Sequence, residues 1–314
     1  MIGKIIKYIF ILIIIVLLVE TSIFLYSYVS DYRAEPEKFV QNITIENEEI
    51  SYASDLQFYP SMRFPKKLIS YTISSACTEK KVERINQALD TLERETGILQ
   101  FQQSNIMPDI LISCEETEKE YPEKAHHFIA GEGGPTSIIN TSAFYVIEKG
   151  EVLLFYEKDV CNSYNVELHE LLHVFGFEHS PNEKSIMYEV TSCDQVLTSD
   201  IVNELKRLYV INELPDLYFK DISAVKHGIY LDFDIEVRNK GLAESEDVVL
   251  MVYAGNSKFD EFKLGKLGYG EGKFLEVKNV KLPSRDVSNL KFTLVTGSEL
   301  EKENNVISLV LSSS

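Results

Sequence analysis

Three histidines and one glutamate have a spacing that suits metal-assisted hydrolysis. Residues 169–179 form the pattern HExxHxxGxxH. Residues four positions apart lie on nearly the same face of an α-helix, so His169 and His173 can both present ring nitrogens to one metal ion. Glu170 lies beside this face, where we expect a general base acting on metal-activated water rather than a ligand.

The residues that follow this helix predict a third ligand. Gly176 stands where the chain must reverse direction, and glycine reaches positive φ without a Cβ clash. The reversal brings His179 towards the first two histidines. Three protein ligands with a fourth position left open are typical of catalytic zinc, whereas structural zinc sites are closed. The sequence therefore predicts one catalytic Zn²⁺ ion.

The pattern, with Met187 in the segment 185–188 that follows it, resembles the zinc site of the metzincin peptidases, and of the matrixins in particular. The resemblance implies an α+β catalytic domain with a mixed twisted sheet and three helices. It also implies that Met187 is an apolar floor beneath the histidines, not a ligand. Tyr188 follows it as in matrixins, and packing and transition-state assistance both remain open for its ring. Glu189 replaces the proline common there.

The N-terminus predicts export from the cytoplasm. Lys4 and Lys7 precede an apolar segment, residues 8–29, which is interrupted by Glu20 and long enough to cross a bilayer. The absence of an obvious small-x-small cleavage site favours a retained signal anchor over a cleaved signal peptide. The flanking charges place the N-terminus inside, so the catalytic part faces outwards in either case. The expected location is the cell membrane, with secretion as the alternative.

Composition and cysteine content agree with this location. The net charge of −18 and the pI near 4.8 make nucleic-acid binding improbable, because phosphate contacts need a basic face. An even number of cysteines in an exported chain favours disulfides, with free buried thiols as the alternative. The preferred pairs are Cys77–Cys114 and Cys161–Cys193. Sequons at Asn42 and Asn140 permit glycosylation.

Four segments are expected along the chain: an anchor (1–30), an extracytoplasmic stalk (31–65), the peptidase domain (66–213) and an all-β immunoglobulin-like sandwich (216–314). The stalk is polar, rich in proline and predicted to be irregular. It contains no cysteine, which excludes the cysteine switch of matrixins. Alternating apolar residues predict about seven short strands in the last segment. Residues 237–241 and 303–305 resemble CARDB-type adhesion modules.

Within the peptidase domain, the pattern predicts a helix over 79–96 that ends at Gly97, and a last helix capped by Thr198. A glycine-rich loop is expected at 131–135, followed by an edge strand at 137–140 that borders the substrate cleft in the family. A hairpin is expected over 144–156, turning at Lys149-Gly150. His126 and His127 are interpreted as surface residues, not as ligands of a further metal.

These observations predict a zinc-dependent endopeptidase that hydrolyses peptide bonds of extracellular or surface proteins. The alternative is a surface adhesion or binding protein with a vestigial metal site. The sequence leaves the oligomeric state and the cleavage specificity open.

Overall fold

A computed structural model of the protein describes residues 2–32, 35–41, 56–116, 119–120, 128–155 and 162–312. The fold is mixed α+β. The described residues form four α-helices: α1 (Ile2–Tyr32), α2 (Glu79–Thr96), α3 (Asn165–Val174) and α4 (Ser199–Tyr209). The strands are β1 (Glu37–Gln41), β2 (Met62–Arg63), β3 (Leu68–Ile73), β4 (Gln100–Gln103), β5 (Ile110–Cys114), β6 (Lys119–Glu120), β7 (Phe128–Ile129), β8 (Gly131–Asn140), β9 (Tyr145–Leu154), β10 (Leu217–His227), β11 (Tyr230–Asn239), β12 (Val248–Ala254), β13 (Ser257–Gly265), β14 (Gly272–Lys281), β15 (Asn289–Val295) and β16 (Val306–Leu311).

The middle of helix α1 is mostly apolar. Its segment Ile9–Tyr26 has a mean hydropathy of 2.8, and none of it is buried against the rest of the chain. A span of this length and composition suits a bilayer. An N-terminal signal sequence has the same properties, so the helix is compatible with either role.

The N-terminal sheet is built around four parallel strands in the order β9-β5-β3-β4, and β2 pairs in parallel with one end of β9. Strand β8 runs antiparallel to β9 and forms the edge. Helices α2, α3 and α4 share one apolar core with this sheet. Helix α2 has its predicted bounds: the Thr78 side chain accepts a hydrogen bond from the Lys81 N–H, and Gly97 ends the helix at φ +64°.

The prediction that the glycines of β8 and β9 lie in a loop and a turn is wrong. The predicted glycine-rich loop is the start of β8, and the predicted hairpin is the single strand β9. The physical reason is the close approach of α3. A Cβ on Gly133 would lie 2.2 Å from the carbonyl oxygen of Glu170, and a Cβ on Gly150 would lie 2.3 Å from Val174 Cγ1. These glycines let a helix pack tightly on strands rather than reverse the chain.

A buried arginine joins β2 to α4. Arg63 is fully buried, and its guanidinium lies 4.4 Å from the centre of the Tyr209 ring. It donates hydrogen bonds to the carbonyl oxygens of Leu208 and Ile211, which lie at and just beyond the C-terminal end of α4. A cation at a helix C-terminus is favoured by the helix dipole. The contact joins the chain just before β3 to the end of α4.

The second sheet belongs to residues beyond 216, with one exception. Its strand order is β13-β12-β15-β16-β1-β10-β11-β14, so β1 lies in the middle of it. Phe39 of β1 is buried in the core of this sheet, and Lys226 forms an ion pair with Glu37 at 2.6 Å. The prediction of an irregular stalk is therefore wrong for β1. Its alternating pattern is too short to identify from sequence, and both its partners lie more than 180 residues away.

The N-terminal sheet is in direct contact with a loop of the C-terminal module. Phe144 and Val146 from the β8–β9 region form a small buried cluster with Leu242 of the C-terminal module. The Thr141 hydroxyl donates a hydrogen bond to the Lys240 carbonyl oxygen at 2.8 Å. The module therefore packs on the β8–β9 end of the N-terminal sheet.

The structure contains the predicted Cys77–Cys114 disulfide, which joins the end of β5 to the segment before α2. Cys193 is also disulfide-bonded. Its predicted partner, Cys161, lies outside the described residues, as do Asn42, His126 and His127.

Candidate metal centre and active site

Helix α3 presents two of the predicted ligands. Its apolar residues Leu168, Leu171 and Leu172 are buried in the core, which fixes the orientation of the helix. His169 and His173 follow one another on the same face, and their Nε2 atoms lie 3.0 Å apart. A core-facing helix thus places both imidazoles at one position above the sheet.

The third predicted ligand reaches the same point. The Nε2 atoms of His173 and His179 are 3.2 Å apart, and the ligand atoms of all three histidines lie within 4.8 Å of one another. His169 and His173 are buried, whereas His179 is exposed. The cluster therefore has one side open to solvent.

Backbone carbonyl groups fix the tautomers of the two buried histidines. The Nδ1 of His169 is 2.7 Å from the Ile186 carbonyl oxygen, and the Nδ1 of His173 is 2.7 Å from the Phe177 carbonyl oxygen. A carbonyl oxygen only accepts hydrogen bonds, so each Nδ1 carries the proton. In the neutral ring, each Nε2 then offers a lone pair towards the centre of the cluster.

The surroundings of these rings favour their neutral form. Burial, together with the nearby His173, lowers the pKa of His169 to about 4, against the effect of its bond to Ile186. Burial lowers the pKa of His173 to about 4, and the hydrogen bond to Phe177 opposes this effect. Neutral imidazole is the form that ligates metal ions.

Gly176 produces the reversal between the second and third histidines. It has φ +83°, and its N–H donates a hydrogen bond to the His173 carbonyl oxygen at 2.9 Å. A Cβ at this position would lie 2.2 Å from the sulfur of Met62. Both the backbone conformation and the packing therefore require glycine here.

The segment 185–188 supports the cluster through its backbone. Ile186 provides the carbonyl that orients His169, and the Met187 carbonyl accepts a hydrogen bond from the Ser180 N–H at 2.7 Å, next to His179. Met187 is buried in the core, and Tyr188 is half-buried with its N–H on the Ser185 carbonyl. This turn holds the first and third histidines in place.

Glu170 lies between α3 and the edge strand β8. It is buried, and its backbone lies against Gly133 of β8. Burial raises the pKa of Glu170 to about 8, the negative charge of Glu132 acts in the same direction, and the backbone N–H of Gly133 opposes both effects. A Cβ on Gly131 would lie 2.6 Å from the Glu170 side chain, so the strand covers this carboxyl closely.

Sequence reasoning missed one part of the site. Residues 56–62, which we call the N-terminal strap, were assigned to the stalk. The Phe58 ring stacks on the His173 ring, with centroids 6.0 Å apart and an interplanar angle of 15°. The available signal was the aromatic pair Phe58-Tyr59, which lies between the apolar residues Leu56 and Met62.

A comparison with protein families matches the part of the chain that contains the three histidines. Residues 63–210 match the sequence model of the peptidase family described as Matrixin. Residues 63–210 form a matrixin-like domain. The match contains the three histidines, Glu170 and Met187, but not the strap or the C-terminal module. No curated protein sequence is significantly similar to the chain.

Two of the solved structures that are distantly similar to the chain are a CARDB domain and a zinc-protease. One is a CARDB domain from Pyrococcus furiosus in complex with di-metal ions, with 20% identity over 32% of this chain and 89% of that domain, at a TM-score of 0.25. The other is high choriolytic enzyme 1, a hatching enzyme zinc-protease from Oryzias latipes, with 19% identity over 38% of this chain, at a TM-score of 0.25. The similarity spans 50% of that enzyme's length. Both TM-scores are below 0.5, so neither similarity supports an inference about this chain.

Proposed function

We propose that the protein is a zinc-dependent endopeptidase of the metzincin type, with one catalytic zinc ion held by His169, His173 and His179. The convergence of the three Nε2 atoms carries this proposal. Two of them are 3.0 Å apart with both Nδ1 protons directed at carbonyl groups, so their lone pairs face one another. Such an arrangement is repulsive unless a cation lies between them.

The spacing also fits zinc. Tetrahedral zinc with Zn–N bonds of about 2.0–2.1 Å separates neighbouring nitrogen ligands by about 3.3–3.4 Å. Two of the three pairs of ligand atoms are separated by 3.0 Å and 3.2 Å, close to this distance, and all three atoms lie within 4.8 Å of one another. Imidazole nitrogens suit zinc among biological metals, and three protein ligands leave a position for water or substrate.

Zinc and Glu170 have different roles in the proposed reaction. Bound zinc supplies Lewis acidity, which polarises a scissile carbonyl and makes water a better nucleophile near neutral pH. We assign the general-base role to Glu170, which would take a proton from the attacking water and pass it to the leaving amine. The close approach of Gly131 to the Glu170 side chain supports this role, because it keeps the carboxylate next to β8.

The edge strand supports a polypeptide substrate. Among the described residues, β8 pairs only with β9, and its start lies against Glu170. An extended peptide could therefore add to the open edge of β8 through backbone hydrogen bonds. Backbone recognition of this kind accepts many sequences, which agrees with an endopeptidase acting on extracellular or surface proteins.

We also propose the cellular arrangement and the nature of the module. Helix α1 would anchor the protein in the membrane with the peptidase outside, and cleavage of α1 as a signal peptide is the alternative. The C-terminal module would be an immunoglobulin-like, CARDB-like sandwich. Its alternating buried residues form one apolar core, as expected for two packed β-layers.

The direct test is metal removal and restoration. Purified protein is assayed on an unstructured protein substrate before chelation, after chelation and after addition of one equivalent of zinc. We expect activity, its loss and its return. Bound zinc without hydrolysis of any substrate in a broad peptide library would instead favour a binding protein with a vestigial metal site.

A further inference from the structure

The N-terminal strap, residues 56–62, pairs with the part of the chain that carries the third histidine. The Phe58 N–H donates to the Gly176 carbonyl oxygen at 2.8 Å, and the Glu178 N–H donates to the Leu56 carbonyl oxygen at 2.9 Å. Gln57 lies opposite Phe177 in an antiparallel bridge. The segment 176–178 is therefore held on one side by the end of its own helix and on the other side by the strap.

The Gln57 side chain strengthens this pairing from within the core. Its amide nitrogen donates to the carbonyl oxygens of Met62 at 2.7 Å and Phe175 at 3.0 Å. Its amide oxygen accepts from the Met62 N–H at 3.1 Å. One buried amide thus joins both ends of the strap region to the end of α3, and Met62 is the residue packed against Gly176.

The strap also touches a predicted ligand directly, through the stacked rings of Phe58 and His173. His173 is therefore restrained on two sides. Its Nδ1 is bonded to the Phe177 carbonyl, next to the residues that the strap bonds, and its ring lies nearly parallel to the Phe58 ring.

We infer that the strap positions the metal ligands, with Gln57 holding the 175–177 backbone and Phe58 holding the His173 ring. The inference rests on the proposed zinc centre. It means that a segment outside the matrixin-like domain sets the affinity of that domain for its metal. Groups that orient metal ligands typically contribute 10–100-fold to metal affinity.

The first test compares two buried glutamines. Gln195 is as buried as Gln57, and its side chain also bonds backbone groups, those of Val190, Ser192 and Glu183, but none of these bonds orients a histidine. Zinc affinity of the full chain is measured by competition with a chromophoric chelator. We expect Gln57→Met to weaken zinc binding about 10-fold. We expect Gln195→Met to lose about as much thermal stability as Gln57→Met but to leave zinc affinity unchanged.

The second test uses two neighbouring aromatic residues that are both partly exposed. Phe58 and Tyr59 are 38% and 46% exposed, and Tyr59 stacks on Tyr145 rather than on a ligand. We expect Phe58→Ala to weaken zinc binding several-fold and to accelerate zinc release to the chelator. Tyr59→Ala should do neither.

The outcomes separate the two levels of the proposal. If wild-type protein binds no zinc, or if His169→Ala binds zinc as tightly as wild type, the metal centre itself is disproved and the strap's role with it. If wild type binds zinc but each strap variant matches its control, the metal centre stands and the positioning role is overturned.

Discussion

The Nδ1 of His173 and the carbonyl oxygen of Phe177 lie 2.7 Å apart. This contact determines which ring nitrogen of His173 carries the proton, and so directs the bare Nε2 at His169 and His179. The carbonyl belongs to the residue just after Gly176. The reversal of the chain therefore both delivers the third histidine and orients the second one.

Removing one ligand should abolish tight zinc binding. We expect His173→Ala to weaken zinc affinity by more than about 100-fold, since even outer-sphere partners typically contribute 10–100-fold. His227 lies in the C-terminal module near Asp232 and provides the control. His227→Ala should bind one zinc ion per chain, as measured by metal analysis after desalting. Equal zinc content in the two variants would contradict the assignment.

Two adjacent glycines in β8 should differ sharply in their tolerance of alanine. A Cβ on Gly133 would meet the Glu170 backbone at 2.2 Å, whereas nothing lies within 4 Å of a Cβ on Gly134. We expect Gly133→Ala to lower the free energy of unfolding by about 1–3 kcal/mol. Gly134→Ala should change it by less than about 0.5 kcal/mol. Urea denaturation measures both, and equal midpoints would show that α3 and β8 are not in close contact.

The Asp109 carboxylate should make stability depend on pH. Burial acts against its charge, but hydrogen bonds from Lys66 Nζ at 2.8 Å and the Ser70 hydroxyl at 2.7 Å outweigh burial and lower its pKa. A depressed folded-state pKa stabilises the protein above the unfolded pKa of about 4, and this contribution is lost as pH falls through the lower folded value.

Asp109→Asn should therefore lose stability at pH 7, by about 1–3 kcal/mol for a hydrogen-bonded charge. The difference in stability between Asp109→Asn and wild type should disappear as pH falls below about 4. Asp194, which pairs with Lys184 on the surface, is the control, and Asp194→Asn should unfold like wild type. A stability difference between Asp109→Asn and wild type that stays constant from pH 7 to pH 3 would contradict this account.

The sequence predicts the histidine cluster well because its geometry is local. His169 and His173 are related by helical spacing, and His179 follows one glycine reversal. The roles of Gly131, Gly133 and Gly150 are not visible in the same way. A glycine that lets a helix approach a strand has the same sequence signal as a glycine in a turn, and the difference lies in α3, which is distant in sequence.

Non-local pairing explains the other errors. The strap contacts residues about 120 positions later, and β1 pairs with strands at the opposite end of the chain. Neither segment is long enough to show a periodic pattern of its own. These segments acquire their structure from distant partners, and the local sequence does not indicate which residues those partners are.

Strand β1 should be required for the stability of the C-terminal module. Phe39 is 6% exposed within the module core, and its neighbour Val40 is 46% exposed. We expect Phe39→Ala to lower the free energy of unfolding by about 3–5 kcal/mol, as for other buried phenylalanines. Val40→Ala should cost less than about 1 kcal/mol. Hydrogen exchange at β10 and β16 reports the change, and unchanged protection in Phe39→Ala would exclude β1 from the sheet.

The most direct measurement of the central claim is the hydrolysis rate of Glu170→Gln at known zinc content. The variant keeps all three histidines and replaces only the proposed base. We expect it to retain one zinc ion per chain and to cleave a protein substrate about 10²–10⁴-fold more slowly than wild type. If the variant with one bound zinc ion cleaves at the wild-type rate, Glu170 is not the base and the proposed mechanism is wrong.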